Sequence, residues 1–356
     1  MTKKYKVAVL IGRFEPFHNG HLRNVMQALD LAEHVHILVG SSFQPSTPKN
    51  PFDYYERKQM IASSLNRSIK VMDSLEYNYT ISPLRDHKYS NNNWIREVQT
   101  QVGSEHPGVA DSEICILGFD KDESSWYNHA FPAWKFIELK GFVEHGSHPI
   151  DATKIRELLF EGHLDFVKGA VPSEIFEWLV AFRTTNHYEK MVEEYYFYKG
   201  YHKAWESAPF VPVFQTTDAV VVQGGHILLI QRGFSPGKGL WALPGGFINP
   251  KELLEDCVVR ELIEETKIKV PEIVLRKAIT YNKVFDHPDR DLRGRTITHA
   301  YLIELDGGNG ELPRVKGSDD AKKAKWFTLA EVATMGEVMY GDHAHIIQTM
   351  VARAKK

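Results

Sequence analysis

Glu261, Glu264 and Glu265 stand at i, i+3 and i+4, so a helix through them projects all three carboxylates from one face. Three carboxylates that close repel one another and weaken a bare helix. A divalent cation turns the repulsion into coordination, and hard carboxylate oxygens suit Mg²⁺ or Mn²⁺. Arg260 precedes the cluster and can pair with Glu252, tying an upstream loop to the helix. A charge run is more often a solvated helix face. The fixed order Gly246, Glu252, Arg260, Glu261, Glu264, Glu265 argues for metal chemistry instead.

A second cluster lies near the start, in Gly12-Arg13-Phe14-Glu15-Pro16-Phe17-His18-Asn19-Gly20-His21. The run Tyr5 to Ile11 before it is almost continuously apolar, as in a buried parallel strand. After it, Leu22, Val25, Met26, Leu29 and Leu31 keep helical spacing. A strand, a glycine-bearing loop and a helix N-terminus make an anion site, because free backbone N–H groups and the helix dipole face a phosphate. His18 and His21 add donors at the same place. Histidines at helix ends also serve simply as caps, but here the whole run has the order a phosphate site needs.

The elements that must carry these groups alternate. Strands are expected at Val35–Gly40, Ile69–Met72 and Ile114–Gly118, and helices at Tyr54–Leu65 and Trp94–Val102. Such a βαβ series gives a doubly wound sheet with ligands beyond the strand C-termini. Residues 183–207 are neither glycine–serine-rich nor poor in hydrophobics, and Tyr188, Val192, Tyr195, Tyr196 and Lys199 have helical spacing, which predicts a bridging helix. Pro209 and Pro212 then break the chain. Beyond them, Thr217–Val222 and His226–Gln231 read as a hairpin about Gly224-Gly225. Strands near Ala278–Tyr281 and Thr296–Leu305 and a last helix from His343 complete an α/β/α pattern. The expected domains are therefore 1–182 and 208–356, joined by 183–207.

The stretch Gly246 to Ile268 resembles the Nudix box, G-x5-E-x7-R-E-U-x-E-E-x-G-U with U apolar. Lys267 stands where that family has glycine, in a left-handed helix-ending position that costs a lysine on the order of 1 kcal/mol. His18-Asn19-Gly20-His21 resembles the H-x-G-H motif of the nucleotidyltransferase superfamily, and Gly12 to Phe17 resembles its nicotinamide mononucleotide (NMN) adenylyltransferase branch. Ile150 to Arg156 resembles the I-S-x-T-x-I-R signature of those enzymes, with Asp151 in place of serine. Thr153 is then the expected N-cap and Arg156 a bidentate phosphate clamp. Gly40-Ser41-Ser42, Asn50-Pro51-Phe52 and Glu56-Arg57 resemble a run of archaeal-type members. Pro83 to Asp86 with Asn91 and Trp94 resembles the segment that stacks on nicotinamide.

Taken together, the two resemblances point to the bifunctional nicotinamide-nucleotide adenylyltransferase/Nudix hydrolase family. They imply a Rossmann-like nucleotidyltransferase domain followed by a Nudix α/β/α sandwich. The first domain would join NMN and ATP into NAD, with His18, His21 and Arg156 catalytic and Gly12, Arg13, Phe14, Ser41, Asn50, Arg57, Asn91, Trp94 and Thr153 binding ATP or NMN. In the second, Glu261, Glu264 and Glu265 would be both catalytic and metal-binding. The segment Asp286 to Arg295 resembles a D-x-P-x-R-D-P-R-G-R run of ADP-ribose-directed Nudix proteins, with Leu292 in place of proline. The resemblance implies Arg232, Gly245, Gly246, Arg290, Arg293 and Arg295 as ADP-ribose-binding residues, with AMP and ribose 5-phosphate as products. The S-Q-P-W-P-F-P-x-S sequence of NADH-cleaving members is absent.

Composition sets the frame. A chain of 356 residues, 43% hydrophobic and 25% charged, suits two soluble globular domains. Its formal net charge of −3 gives no electrostatic reason to expect nucleic acid as a partner. No apolar run approaches membrane length. Cys115 and Cys257 are expected as buried thiols in a reducing cytoplasm, neither disulfide nor metal pair. A homo-oligomer is compatible with all of this. Two rivals stand: adenylyl transfer to another phosphate acceptor, and a Nudix domain that acts on a different nucleoside diphosphate or senses ADP-ribose.

Overall fold

The computed structural model describes residues 3–71, 78–119, 126–127, 129–139, 151–307 and 310–354. It divides into two compact units, Met1–Val192 and Glu193–Lys356.

Unit 1 is built on strands β1 (Tyr5–Gly12), β2 (Ala32–Val39), β3 (Asn78–Pro83), β4 (Ile114–Gly118) and β5 (Lys135–Glu138). All pair in parallel in the order β3-β2-β1-β4-β5. The order reverses beside β1, so the crevice beyond the C-termini of β1 and β4 is the place where a doubly wound sheet takes its ligand. Val7, Val9, Leu38 and Ile116 build the core on one face with Val98 and Val102. Val98 and Val102 belong to α3 (Asn91–Glu105); α1 (Asn19–Leu31), α2 (Tyr54–Val71), α4 (Ala152–Phe160) and α5 (Ser173–Phe182) complete the unit.

The strand expected at Ile69–Met72 is not there. Ile69 and Lys70 continue α2, Met72 lies outside the described residues, and the strand that flanks β2 is Asn78–Pro83. Ile61, Leu65 and Ile69 recur every four residues and carry the helix on. A short apolar run looks the same as strand or as buried helix.

Helix α6 (Asn186–Trp205) lies within 183–207, and the division between the two units falls inside it, between Val192 and Glu193. Its first turns belong to unit 1, where His187 Nε2 meets the Pro51 carbonyl at 2.9 Å and the Tyr188 hydroxyl donates to the Leu159 carbonyl at 2.9 Å.

Unit 2 is a mixed sheet of β6 (Val213–Gln223), β7 (His226–Arg232), β8 (Trp241–Ala242), β9 (Gly245–Phe247), β10 (Ile279–Phe285), β11 (Arg295–Glu304) and β12 (Ala321–Thr328). The main path is β10-β11-β6-β7-β12, with β8 on β7 and β9 on β6. Helix α7 (Leu254–Thr266) buries Val258, Val259 and Leu262 against Ala219, Val221, Leu228, Tyr301 and Ile303. Val220 and Leu302 alternate with these, face the other way and are equally buried, so the sheet is covered on both faces. Short α8 (Glu272–Lys277) and α9 (Leu329–Val332) and the closing α10 (His343–Val351) complete the α/β/α sandwich.

Candidate functional site

In unit 1 the histidines cap the helix they open. His18 is the N-cap of α1; its Nδ1 accepts from the Gly20 amide at 3.1 Å, and the His18 amide donates to His21 Nδ1 at 3.3 Å. Each Nδ1 is thereby an acceptor, which leaves the proton of a neutral ring on Nε2. The rings stack with centroids 3.6 Å apart, and the Phe14 ring meets His21 edge-on. Both histidines are thus set as N–H donors at a helix N-terminus. Gly12 is required here: a Cβ on it would lie 2.9 Å from the Phe14 ring, and Phe14 itself holds a left-handed φ of 57°.

One buried residue gathers the rest. The Glu15 carbonyl accepts from Arg156 Nη1 at 2.7 Å, which brings the start of α4 to the histidine loop. Its carboxylate accepts from the Phe52 amide at 3.2 Å and lies 3.2 Å from Arg57 Nε. Burial pushes the Glu15 carboxyl up, to about 8, against the pull of Arg57. Arg57 is only 1% exposed, and its guanidinium donates to the carbonyls of Arg13, Gly40, Ser41 and Asp53. Arg57, expected among the ATP or NMN contacts, thus ties together the loops that follow β1 and β2.

The cap of α4 differs from expectation. Asp151 is the N-cap and accepts from the Lys154 amide at 2.8 Å; Thr153 sits inside the first turn, where its hydroxyl accepts from Arg156 Nη2 at 3.2 Å. Aspartate caps as well as serine does, so this departure from the family signature is conservative. Arg156 is buried, and desolvation with the nearby Arg13 guanidinium lowers its pKa to about 10. Arg13 and Arg156 thereby concentrate positive charge beside the histidine loop, partly offset by Glu15. Arg13 also donates to Asn50 Oδ1 at 3.1 Å. Ser41 is held by Asp86 through its amide (3.2 Å) and hydroxyl (2.9 Å). Asn91 is exposed on the first turn of α3, and half-buried Trp94 joins an aromatic group with Trp126, Tyr127 and Phe131.

In unit 2 the box helix α7 carries the expected pair. Arg260 Nε and Nη2 grip Glu252 at 2.6 and 2.9 Å, and its Nη1 reaches Glu261 at 2.8 Å and Glu264 at 2.9 Å. The bond from Arg260 holds the Glu252 carboxyl down at about 2. Burial raises Glu261, and it raises Glu265 to about 8 although the Gly245 amide donates to Glu265 at 2.9 Å. Gly246 is pressed so close to Glu261 that a Cβ would fall 2.5 Å from Oε1. Lys267 ends the helix in the left-handed region, φ 46° and ψ 33°, as expected for that position.

Arg260, Glu261 and Glu265 line a cavity of about 380 Å³, while Glu264, its side chain 42% exposed and paired with Arg260, is not part of the lining. Among the described residues no three His, Cys, Asp or Glu side chains converge closely enough to hold an ion. Arg260, a cationic side chain, stands among three of the carboxylates instead. The donor set still fits a hard divalent cation: Glu261 and Glu265 share the cavity, Glu264 follows on the same helix face, and burial raises the proton affinity of the first two, so a bound cation would relieve the cost of their charge.

Arg232, Arg290 and Arg293 line the cavity, as do Gly245 and Gly246. Arg232 lies 4.3 Å from the Tyr340 ring centroid and donates from Nε to the Pro236 carbonyl at 2.7 Å. Arg293 packs over Phe247 and pairs with Asp291 at 2.6 Å. Arg290 is 7% exposed and bound bidentately to Asp342 (3.1 and 2.9 Å). Arg295 is not part of the lining; it donates to the Asp286 carbonyl and closes the 286–295 loop.

Sequence reasoning missed Asp218, Asp342 and His343. Asp218 is buried, accepts from Thr298 Oγ1 at 2.6 Å, and lies 3.9 Å from His343 Nε2. The Leu243 amide donates to His343 Nδ1 at 2.9 Å, and burial lowers the pKa of the ring, so a neutral imidazole turns its Nε2–H toward Asp218. The available signal was a carboxylate in the otherwise apolar run Ala219-Val220-Val221.

A Cytidylyltransferase-like family model matches residues 9–157, and a NUDIX domain model matches residues 213–350. Among solved structures, the chain is similar to a bifunctional NMN adenylyltransferase/ADP ribose pyrophosphatase from Francisella tularensis, complexed with AMP and Mn ion. The TM-score is 0.87 at 35% identity, covering 98% of this chain and 99% of that one. The nicotinamide/nicotinic acid mononucleotide adenylyltransferase of Acinetobacter baylyi is 31% identical over 192 residues, 54% of this chain and 94% of its own. The ADP-ribose pyrophosphatase of Methanocaldococcus jannaschii is 37% identical over 131 residues, 37% of this chain and 69% of its own.

Proposed function

The chain belongs to the bifunctional NMN adenylyltransferase/ADP-ribose pyrophosphatase family, and from that membership we propose that unit 1 makes NAD and pyrophosphate from NMN and ATP while unit 2 hydrolyses ADP-ribose to AMP and ribose 5-phosphate.

For unit 1, the observation that supports the reading is the Arg156–Glu15 bond, which ties the start of α4 to the loop that leads into His18 and His21. A 5′-phosphate oxygen of NMN attacks the α-phosphorus of ATP, the bond to the bridging oxygen breaks, and pyrophosphate leaves. The attacking phosphate monoester is already ionised, so no base is required. His18 and His21 donate to the triphosphate, Arg13 and Arg156 offset its growing charge, and catalysis rests on position and electrostatics. Gly12, Phe14, Ser41 and Asn50 shape the pocket for ATP and NMN. Asn91 and Trp94 take the base of NMN, and Arg57 and Thr153 hold the loops and Arg156 in place.

For unit 2, the carrying observation is that Glu261 and Glu265 share one cavity with Arg232 and Arg293. Glu261, Glu264 and Glu265 would hold Mg²⁺ or Mn²⁺. When bound, a divalent cation neutralises the diphosphate and lowers the pKa of a water. Arg232 and Arg293 pair with the diphosphate, and Gly245 and Gly246 let backbone approach it. Arg290, fastened to Asp342, fixes the wall on which they stand. Two free, buried cysteines suit a cytoplasmic setting, and no helix among the described residues is long and apolar enough to cross a membrane.

The test is a product assay on the whole chain with Mg²⁺ or Mn²⁺, run with NMN plus ATP, with nicotinate mononucleotide plus ATP, and with ADP-ribose. NAD and AMP are the expected products. NAD without AMP would turn unit 2 into a sensor or a hydrolase of another diphosphate. Product from nicotinate mononucleotide alone would move the acceptor.

A further inference from the structure

Helix α6 lies outside the NUDIX match, which begins at residue 213, yet from Glu193 onward it belongs to unit 2. Glu194 Oε1 accepts from the Gly237 amide at 2.6 Å. Gly237 stands against Tyr340, so close that a Cβ would fall 2.4 Å from the ring, and it holds φ +73°. Arg232 stacks on that same ring and donates to the Pro236 carbonyl, one residue before Gly237. One carboxylate thus fixes the turn that aims a cavity arginine.

The other side of the cavity is fastened in the same way. His202 Nε2 donates to the Leu292 carbonyl at 2.8 Å, immediately before Arg293. Tyr201 and Trp205 pack on Phe214, Phe214 packs on Phe247, and Arg293 lies over Phe247. Tyr198, buried between these two anchor points, faces the charges of Glu194, Asp291 and Arg293.

We infer that residues 193–205 of α6 are a working part of the ADP-ribose cavity, with Glu194 the positioning residue for Arg232 and His202 for Arg293. The inference rests on the ADP-ribose reading of unit 2. Neither residue is held to touch the reacting atoms; each sets how well the arginines are aimed before the substrate arrives, an effect read in KM.

The test uses the full chain with Mg²⁺ and ADP-ribose. Glu194→Ala should raise KM about tenfold, the scale of one charge-assisted hydrogen bond, with kcat within about threefold. Glu194→Gln keeps an acceptor for the Gly237 amide and should stay within about threefold of the parent in KM. His202→Ala should raise KM about threefold. NMN adenylyl transfer by the same preparations should be unchanged. An unchanged KM in Glu194→Ala, or a fall in kcat alone in both Glu194 variants, overturns the inference. Loss of all hydrolysis in both overturns it too, because α6 would then support the fold of unit 2 and not the aim of Arg232. If the unsubstituted chain leaves ADP-ribose intact, the functional reading itself fails and takes this inference with it.

Discussion

The Gly245 amide donates to Glu265 Oε2 across 2.9 Å, so the backbone of β9 holds the most deeply buried carboxylate of the box helix. Glutamine at 265 keeps an acceptor for that amide and removes a buried acid. Glu265→Gln should therefore fold normally, lose ADP-ribose hydrolysis by about 100-fold or more, and leave NMN adenylyl transfer intact. Glu264→Gln should cost less, because its side chain is 42% exposed, pairs with Arg260 and is not part of the cavity lining. Steady-state assays of both reactions on each variant check this, and loss of both activities would refute independent sites.

The two box glycines should fail differently. A Cβ at position 245 would lie 2.1 Å from the Thr217 carbonyl oxygen, which the sheet holds in place. At position 246 it meets the end of the Glu261 side chain, which can swing away. Gly245→Ala should lower the stability of unit 2 by roughly 3 kcal/mol, as overpacking against backbone does. Gly246→Ala should keep its melting temperature within a few degrees while displacing a carboxylate the cation needs, so hydrolysis falls. Calorimetry paired with the hydrolysis assay separates the two.

Acid should loosen unit 1 through His36. Its ring is fully buried and bonded to Ser82, and burial holds its pKa down to about 4, helped by His106 and His34 and opposed by Glu105. Because the folded value is depressed, the unfolded chain binds the proton first. The stability it contributes is present above about 6.5 and is lost as pH falls toward 4, on the order of 3 kcal/mol when complete. Glu15, raised to about 8, works the other way: its contribution is complete below about 4.5 and is lost as pH rises to 8. The unit 1 melting transition of His36→Gln should therefore depend less on pH than the parent's between 6.5 and 4. Equal slopes would count against this account.

Lys267→Gly tests the helix end. Relief of the left-handed lysine is worth about 1–2 kcal/mol, while glycine's extra freedom in the unfolded chain takes back about 0.4–1. The sign is stabilising, with a net of about 0.5–1 kcal/mol seen as a small rise in melting temperature and no change in hydrolysis. A fall would mean that the lysine side chain contributes contacts worth more than its backbone costs.

Local spacing made much of this molecule readable before any fold was known. The i, i+3, i+4 glutamates, the Arg260–Glu252 tie and the strand–loop–helix around His18 and His21 lie within short stretches of chain, where local geometry limits which side chains can meet. The left-handed turn at Lys267 was legible only through the resemblance to the Nudix box, which has glycine at that position. Partnerships between distant charges were not. Arg57 and Arg290 carry the same guanidinium as Arg232, but packing set the first among loop carbonyls and paired the second with Asp342. Asp218, His343 and the Glu194–Gly237 anchor likewise join residues far apart in sequence. The sequence by itself determined the kinds of chemistry and the local order of the groups that perform it. Only the tertiary structure decided which charges stay open to a ligand, because desolvation and long-range pairing depend on neighbours that spacing along the chain does not specify.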